Sequence, residues 1–503
     1  MQTEHLDVLI VGAGISGIGA ACHLERECPG KRYVILERRQ DIGGTWDLFR
    51  YPGIRSDSDM FTFGYAFKPW TDPRTLADGP SIKRYLREAA SEYGVERHIR
   101  HGIKVISASW SSEKAQWTVS ARRESDGAAL GYTCNFLLGC TGYYNYDAGY
   151  QPDFPGLDQF KGQVIHPQHW PENLDYAGKR VVVIGSGATA ITLVPAMAGT
   201  AAHVTMLQRS PTYIMSLPAI DPMSSRLLRF MPASLVYRIA RARNVRLQRF
   251  LYGLARRRPQ VMRRLLLGMV RKQLGGKVDM RHFTPSYNPW DERLCVVPNG
   301  DLFKVLRSGK ASVATDQIDT FTAKGIRLKS GEELEADIVV SATGLNIQML
   351  GGVKVDIDGK PLKASERMVY KGVMIEGVPN AAIVIGYTNA SWTLKADIAS
   401  EYVCRLLQHM DRNGYASVVA QDSGDNRTED TVMGGLNSGY VRRAVDQLPK
   451  QGRKAPWQLM QDYLRDVPVL RSAPIEDPAL SFGRKPAAPA GKPRGVSKAR
   501  AAA

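Results

Sequence analysis

The 503-residue chain has no long apolar run, no cysteine pair and, over one long stretch, no acid at all. No segment approaches the roughly 18 uncharged apolar residues that a membrane-spanning helix requires. The six cysteines, Cys22, Cys28, Cys134, Cys140, Cys295 and Cys404, are scattered and form no C-x-x-C motif. That spacing disfavours a zinc site and a redox dithiol, so no metal is expected, and it fits a reducing cytoplasm. Met1 to His5 lack the features of a secretory signal and lead directly into a strand pattern. The missing acids are local. The formal net charge is +18, yet residues 222–278 hold fifteen Lys/Arg and no Asp/Glu, and residues 484–503 hold six more, again without an acid. The rest of the chain carries −3. The basicity therefore describes a surface and not the whole fold. The apolar share of 44% is ordinary for a globular protein, and the length is enough for two or three domains.

What is present is a pair of glycine-rich turns 173 residues apart, each after a short β-branched run. The first is Gly12-Ala13-Gly14-Ile15-Ser16-Gly17 and the second Gly185-Ser186-Gly187-Ala188-Thr189-Ala190. Residues 7–11 and 33–36 predict buried parallel strands around a helix over about 16–28, stopped by Pro29 and Gly30. The unit repeats, with strands at 181–184 and 203–207 around a helix over about 189–199. Two such units predict an α/β fold with two doubly wound dinucleotide-binding domains and a helical insertion at 216–280, divided by Pro232 and Pro259. The domain boundaries read from these patterns are 1–150 with 346–445, 151–215 with 281–345, a C-terminal extension at 446–483, and a disordered basic tail from 484.

At the first turn, backbone N–H groups at a helix N-terminus favour a pyrophosphate. Glu37 follows Gly12 by 25 residues, the interval that puts a carboxylate on a ribose hydroxyl. The second unit instead ends its strand on Gln208 and Arg209, with Arg209 24 residues after Gly185. A carboxylate there would repel a 2′-phosphate, whereas the planar fork of Arg clamps it. These residues assign FAD to the first turn and NADPH to the second. The segment Gly43 to Asp57, with Gly43, Gly44, Pro52 and Gly53, lets backbone lie against a flat ligand. Asp57 sits in an otherwise aromatic and glycine-rich loop and wants a cationic partner; composition alone allows an ordinary turn with a solvated acid equally well.

Phe160-x-Gly162-x-x-x-His166-x-x-x-Trp170-Pro171 matches every defining position of the fingerprint of Baeyer–Villiger monooxygenases, and Gly44 to Asp57 matches that family's N-terminal signature. The strings Gln208 to Tyr213, Asn288 to Arg293 and Gly386 to Lys395 resemble the branch containing the mycobacterial ethionamide-activating monooxygenase. The resemblance runs from about residue 5 to 470. It implies that Gly12, Gly14, Ser16, Gly17, Glu37, Thr45, Trp46, Asp47, Leu48, Asp57 and Val105 contact FAD. It implies likewise that Arg55, Ser56, Asp57, Ile184, Gly185, Ser186, Gly187, Ala188, Thr189, Ala190, Gln208 and Arg209 contact NADP. Arg293 and Asp57 are the implied catalytic residues: Arg293 stabilises the oxygenated flavin and Asp57 holds its orientation. His166 belongs to an interdomain hinge and is not the base. The implied reaction uses NADPH and O2 to convert a hydrophobic ketone to an ester or lactone through a peroxide on flavin C4a, with soft sulfur as a further substrate.

Two alternatives stay open at this stage. A flavin N/S-monooxygenase working through a hydroperoxyflavin differs by the protonation of one oxygen. A membrane-bound nucleotide-binding protein without turnover is the alternative of another class. A disulfide reductase is disfavoured because no redox cysteine pair follows the first unit. Residues 222–278 read either as a helical lid with its arginines in water or as an amphipathic surface on anionic lipid at the inner face of the cell membrane. No base-reading motif accompanies the charge, so no nucleic-acid partner is expected. The oligomeric state is left open.

Overall fold

The structure, a computed structural model, describes residues 3–292 and 294–484. Strand β1 (Glu4–Val11) lies parallel to β2 (Tyr33–Leu36) on one side and β3 (Ala129–Gly139) on the other. Val8, Leu9 and Ile10 are fully buried, as a parallel strand covered on both faces requires. Helix α1 (Ile15–Glu27) connects β1 to β2 and covers the face that carries Val8 and Ile10. Leu9 points the other way, into a cluster with Trp110 and Trp117 from the antiparallel strands Ile103–Ser111 and Gln116–Arg123 that extend the sheet beyond β3.

The second sheet has five parallel strands. Strand β4 (Arg180–Ile184) is flanked by β5 (His203–Gln208) and β6 (Ile338–Ser341), with Ala311–Thr315 and Gln163–Ile165 at the edges. Helix α2 (Ala188–Met197) packs Ile191 and Val194 against Val181 and Val183. The chain later returns to the first sheet, where β7 (Ala381–Ile383) pairs parallel with β3.

The two crossings between the sheets run side by side. Asn145 N–H donates to Asn346 O at 2.9 Å, and Tyr150 N–H to Gly344 O at 3.1 Å. The insertion leaves the second unit between the paired strands Ile214–Leu217 and Cys295–Pro298. It holds helices α3 (Pro222–Leu227), α4 (Ala233–Arg257) and α5 (Pro259–Leu274). Three of its prolines sit at helix starts, where a missing N–H costs no hydrogen bond: Pro222 and Pro259 begin α3 and α5, and Pro232 caps α4. Helix α4 is anchored on the first unit. Buried Arg241 donates to the carbonyls of Phe61, Thr62 and Gly64, and Tyr237 donates to Tyr65 O. Helix α6 (Trp392–Asn413) lies against α1, its Asp397 accepting from His23 at 3.1 Å.

Candidate active site

The first glycine turn forms one wall of a cavity of about 280 Å³. Gly12 has φ of +100°, and a Cβ there would stand 2.7 Å from Cys140 O, so only glycine fits between β1 and the strand end at Cys140. Gly14, Ser16, Glu37, Thr45, Trp46, Ser56, Asp57 and Val105 line the same cavity. Glu37 also holds the turn from outside: Oε2 accepts Ala13 N–H at 2.7 Å and Oε1 accepts Arg39 N–H at 2.8 Å. Burial pushes this carboxyl up, and the two backbone donors pull it back.

Three predicted contacts lie elsewhere. Gly17 is packed under Gly12 O and does not reach the cavity. Burial works to raise the Asp47 carboxyl, but bonds from Lys83 at 2.6 Å and Arg39 at 2.5 Å hold it below the usual carboxylate range. Its side chain is thereby taken up within the protein. Leu48 belongs to the core of the second unit.

The second glycine turn has the same shape. Gly185 has φ of +136°, and a Cβ there would stand 2.4 Å from Ala342 O. Gly187 and Ala188 are exposed at the start of α2, next to Ser186 and Thr189, while Ile184 and Ala190 are buried beneath. Arg209 is exposed at the end of β5, and its charge acts on Glu292. Gln208 is buried, its amide nitrogen donating to His282 O and Thr315 Oγ1 at 2.7 and 2.8 Å. Arg55 is paired with Asp301 at 2.6 Å, and its Nε is buried without a partner among the described residues.

A second cavity of about 530 Å³ adjoins the first, and Asp57, Ser58 and Ala390 line both. Its walls are apolar at Met215, Leu217, Leu251, Tyr252, Trp290 and Leu294. Asn244 and Gln248 of α4 donate to Asp59 at 2.8 and 2.7 Å, which ties the insertion to the loop carrying Asp57. Arg293 lies outside the described residues; Glu292 and Leu294 both line this cavity. Burial pushes the Glu292 carboxyl up, against the pull of Arg442 and Arg209.

The fingerprint stands at the crossing between the sheets. His166 donates from Nε2 to Gly344 O at 3.3 Å and accepts Gln168 N–H on Nδ1, while Gln168 Nε2 donates to Asn145 O at 2.8 Å. Burial lowers the His166 pKa, which favours the neutral ring that this pairing needs. Phe160 packs edge-on against Phe321, and a Cβ on Gly162 would stand 2.4 Å from Asp337 O. Trp170 is half-buried and Pro171 exposed.

Sequence reasoning assigned no role to Trp392, yet its indole donates to Ser16 Oγ at 2.8 Å and stacks on Tyr143 beside the first glycine turn. Nor did it find Tyr387 and Ala390, which line the first cavity. Their signal was the string from Gly386 to Lys395, which marks a resemblance without saying where it folds. The residues fit a dinucleotide on two observations. A Cβ on Gly187 would meet nothing within 4 Å, so the second turn faces open space. At the junction of the cavities, Asn389 Oδ1 and Ser391 Oγ are buried without a partner among the described residues.

Comparison with known proteins decides the family. The family model described as flavin-binding monooxygenase-like matches residues 6–373. This chain belongs to that family. It is 59% identical to MymA of Mycobacterium tuberculosis over 485 residues, covering 96% of this chain and 98% of MymA. It is 54% identical to the FAD-containing monooxygenase EthA of Mycobacterium tuberculosis over 488 residues, covering 97% of this chain and 99% of EthA. A solved oxidised steroid monooxygenase bound to NADP shares the fold with a TM-score of 0.74 at 22% identity, covering 95% of this chain and all of that one.

Proposed function

We propose that this family member is an FAD-dependent, NADPH-consuming monooxygenase of Baeyer–Villiger type. It inserts one oxygen atom of O2 beside the carbonyl of a hydrophobic ketone to give an ester or lactone, and it also oxygenates soft sulfur. The observation that carries the reading is the shared wall of Asp57, Ser58 and Ala390, where the glycine-turn cavity meets a larger chamber with Met215, Leu217, Leu251, Trp290 and Leu294 among its walls. EthA, named an FAD-containing monooxygenase, and the NADP-bound steroid monooxygenase support it.

In this reading Gly12, Gly14, Ser16, Glu37, Thr45, Trp46 and Val105 would hold FAD, which would supply hydride acceptance and oxygen activation. The backbone of Ser186 to Thr189 and the side chain of Arg209 would hold NADP, Arg209 favouring its 2′-phosphate. Arg293, as the family resemblance implies, would supply a cation that stays protonated, and Asp57, which lines both cavities, would orient it. A fixed cation favours an oxyanion more than a mobile one, because no reorganisation is needed when charge develops. The FAD unit comprises 1–150 and 346–445, and the NADP unit 151–215 and 281–345. Among the described residues no helix is long and apolar enough to cross a membrane. Residues 222–278 give the cytoplasmic enzyme a peripheral contact with anionic lipid.

The test is a screen of the yellow protein against linear, cyclic and aryl ketones and one thioether. Ester formation coupled to NADPH loss is expected. Sulfoxide from the thioether with every ketone unchanged would replace this reading by the N/S-monooxygenase.

A further inference from the structure

Among the described residues, nine of the fourteen exposed large apolar side chains lie between residues 220 and 269. All but Ile220 fall within the acid-free run of basic residues. Phe230, 82% exposed, stands in the connection between α3 and α4. Along α4, Leu235, Arg238, Ala242, Arg246, Phe250 and Arg257 recur at helical spacing and are all exposed, so they form one outward face. On α5, Val261, Arg264, Leu265, Met269 and Lys272 do the same.

The arginines are of two kinds. Arg241, Arg243, Arg249 and Arg256 are paired with Asp397, Asp221, Asp462 and Asp291, and so brace the insertion against the protein. Arg238, Arg246, Arg257 and Arg264 have no carboxylate partner among the described residues and stand beside the exposed Phe and Leu side chains. Interleaved bare cations and large apolar groups match a bilayer surface, where anionic headgroups and acyl chains lie within one side chain's reach of each other. A protein partner would need a matching acidic and apolar patch; a membrane needs only lipid.

The opposite side of α4 is a wall of the second cavity. Asn244, Gln248 and Leu251 line it, and Leu247, 50% exposed, stands at the edge between the wall and the outward face. Pro222 of α3, another lining residue, is also exposed. The cavity mouth therefore includes residues from the same helices as the apolar and basic face.

We propose that the outward face of α4 and α5, with Phe230 at its tip, docks on an anionic lipid surface, and that the second cavity is filled from that surface with ketones dissolved in the bilayer. The docking stands on the face alone. The route rests on the Baeyer–Villiger reading above and narrows its substrates to ketones with an alkyl chain long enough to partition into lipid.

The FAD-loaded protein is sedimented with phosphatidylglycerol vesicles and with phosphatidylcholine vesicles, and its NADPH consumption is measured with a short water-soluble ketone and with a long-chain 2-alkanone dissolved in each vesicle type. Binding to phosphatidylglycerol only, weakening with salt, is expected, because screening acts over about 8–10 Å at physiological ionic strength. Turnover of the vesicle-dissolved ketone should be faster with phosphatidylglycerol. The variant R238Q/R246Q/R257Q/R264Q should bind these vesicles roughly 10²–10³-fold more weakly, at about fivefold per basic residue near the surface. It should keep FAD and its rate on the short ketone. Equal sedimentation with both lipids, or none with either, overturns the docking. This comparison uses the unaltered protein and stands even if the variant misfolds. Binding with equal turnover in the two vesicle types overturns the route. Binding without oxidation of any ketone leaves the docking intact and overturns the Baeyer–Villiger reading instead.

Discussion

Glu37 and Arg209 stand at the ends of corresponding strands in two copies of one motif, Arg209 one residue further along, and meet different fates. Glu37 is buried, and its carboxylate closes the turn through Ala13 and Arg39 while facing the first cavity. Arg209 stays at the surface, free to meet a phosphate. Replacing Arg209 by Ala should narrow the preference for NADPH over NADH by roughly one to two decades, because a charge-assisted contact is worth about 1.5–3 kcal/mol. An unchanged KM ratio for the two coenzymes would remove Arg209 from the phosphate site. Arg293→Ala should keep FAD and its reduction by NADPH but lose ketone oxygenation by about 10²–10³-fold, the usual cost of one preorganised donor. Stopped-flow reduction and ester formation, measured on one preparation, separate the two steps. Asp47, Leu48 and Gln208 show where residue-level reasoning stopped. Asp47 is bonded to Lys83, 36 residues away, and Gln208 to the His282 carbonyl, 74 residues away. Such partners leave no trace in a local motif.

At the scale of elements, the two glycine turns were legible because each answers a local need: a strand must end, reverse and hand over to a helix within a few residues. They differ at the third motif position, where a Cβ on Gly17 would stand 1.9 Å from Gly12 O and the second turn instead carries buried Ala190. At the middle position a Cβ on Gly187 would meet nothing within 4 Å. Gly17→Ala should therefore disrupt the first unit and lose FAD, while Gly187→Ala should fold, keep FAD and raise the KM for NADPH by intruding on the ligand's space. Flavin absorbance after gel filtration and coenzyme kinetics check both. The packing of α1 on α6 carries a pH signature. Burial alone would lower the His23 pKa, but bonds to Asp397 and Glu27 outweigh it and push the pKa up to about 9, from an ordinary 6.5. A pKa raised in the folded state stabilises fully below the unfolded value and is lost as pH rises through the folded one. The Tm should accordingly fall between pH 6.5 and 9, and His23→Leu should be less stable and lack that part of the slope. An identical slope in the variant would assign the titration to another group.

For the whole molecule, the fingerprint shows why a motif can be legible while its role is not. His166 and Gln168 bind Gly344 and Asn145, the two points where the chain crosses between sheets, so the motif ties the crossings together. The second cavity was illegible for the same reason, since its walls come from the insertion, the loop of Asp57, the strand at Cys295 and the loop 388–391 that leads into α6. Trp392 reaches Ser16 across 376 residues. The central claim concerns what happens where the two cavities meet. The most direct measurement supplies the FAD-loaded protein with NADPH, a ketone and ¹⁸O₂ and reads the product by mass spectrometry. An ester carrying one labelled oxygen, formed in step with one NADPH consumed, is the predicted result. NADPH consumption that yields only hydrogen peroxide, with every ketone returned unchanged, would contradict the account.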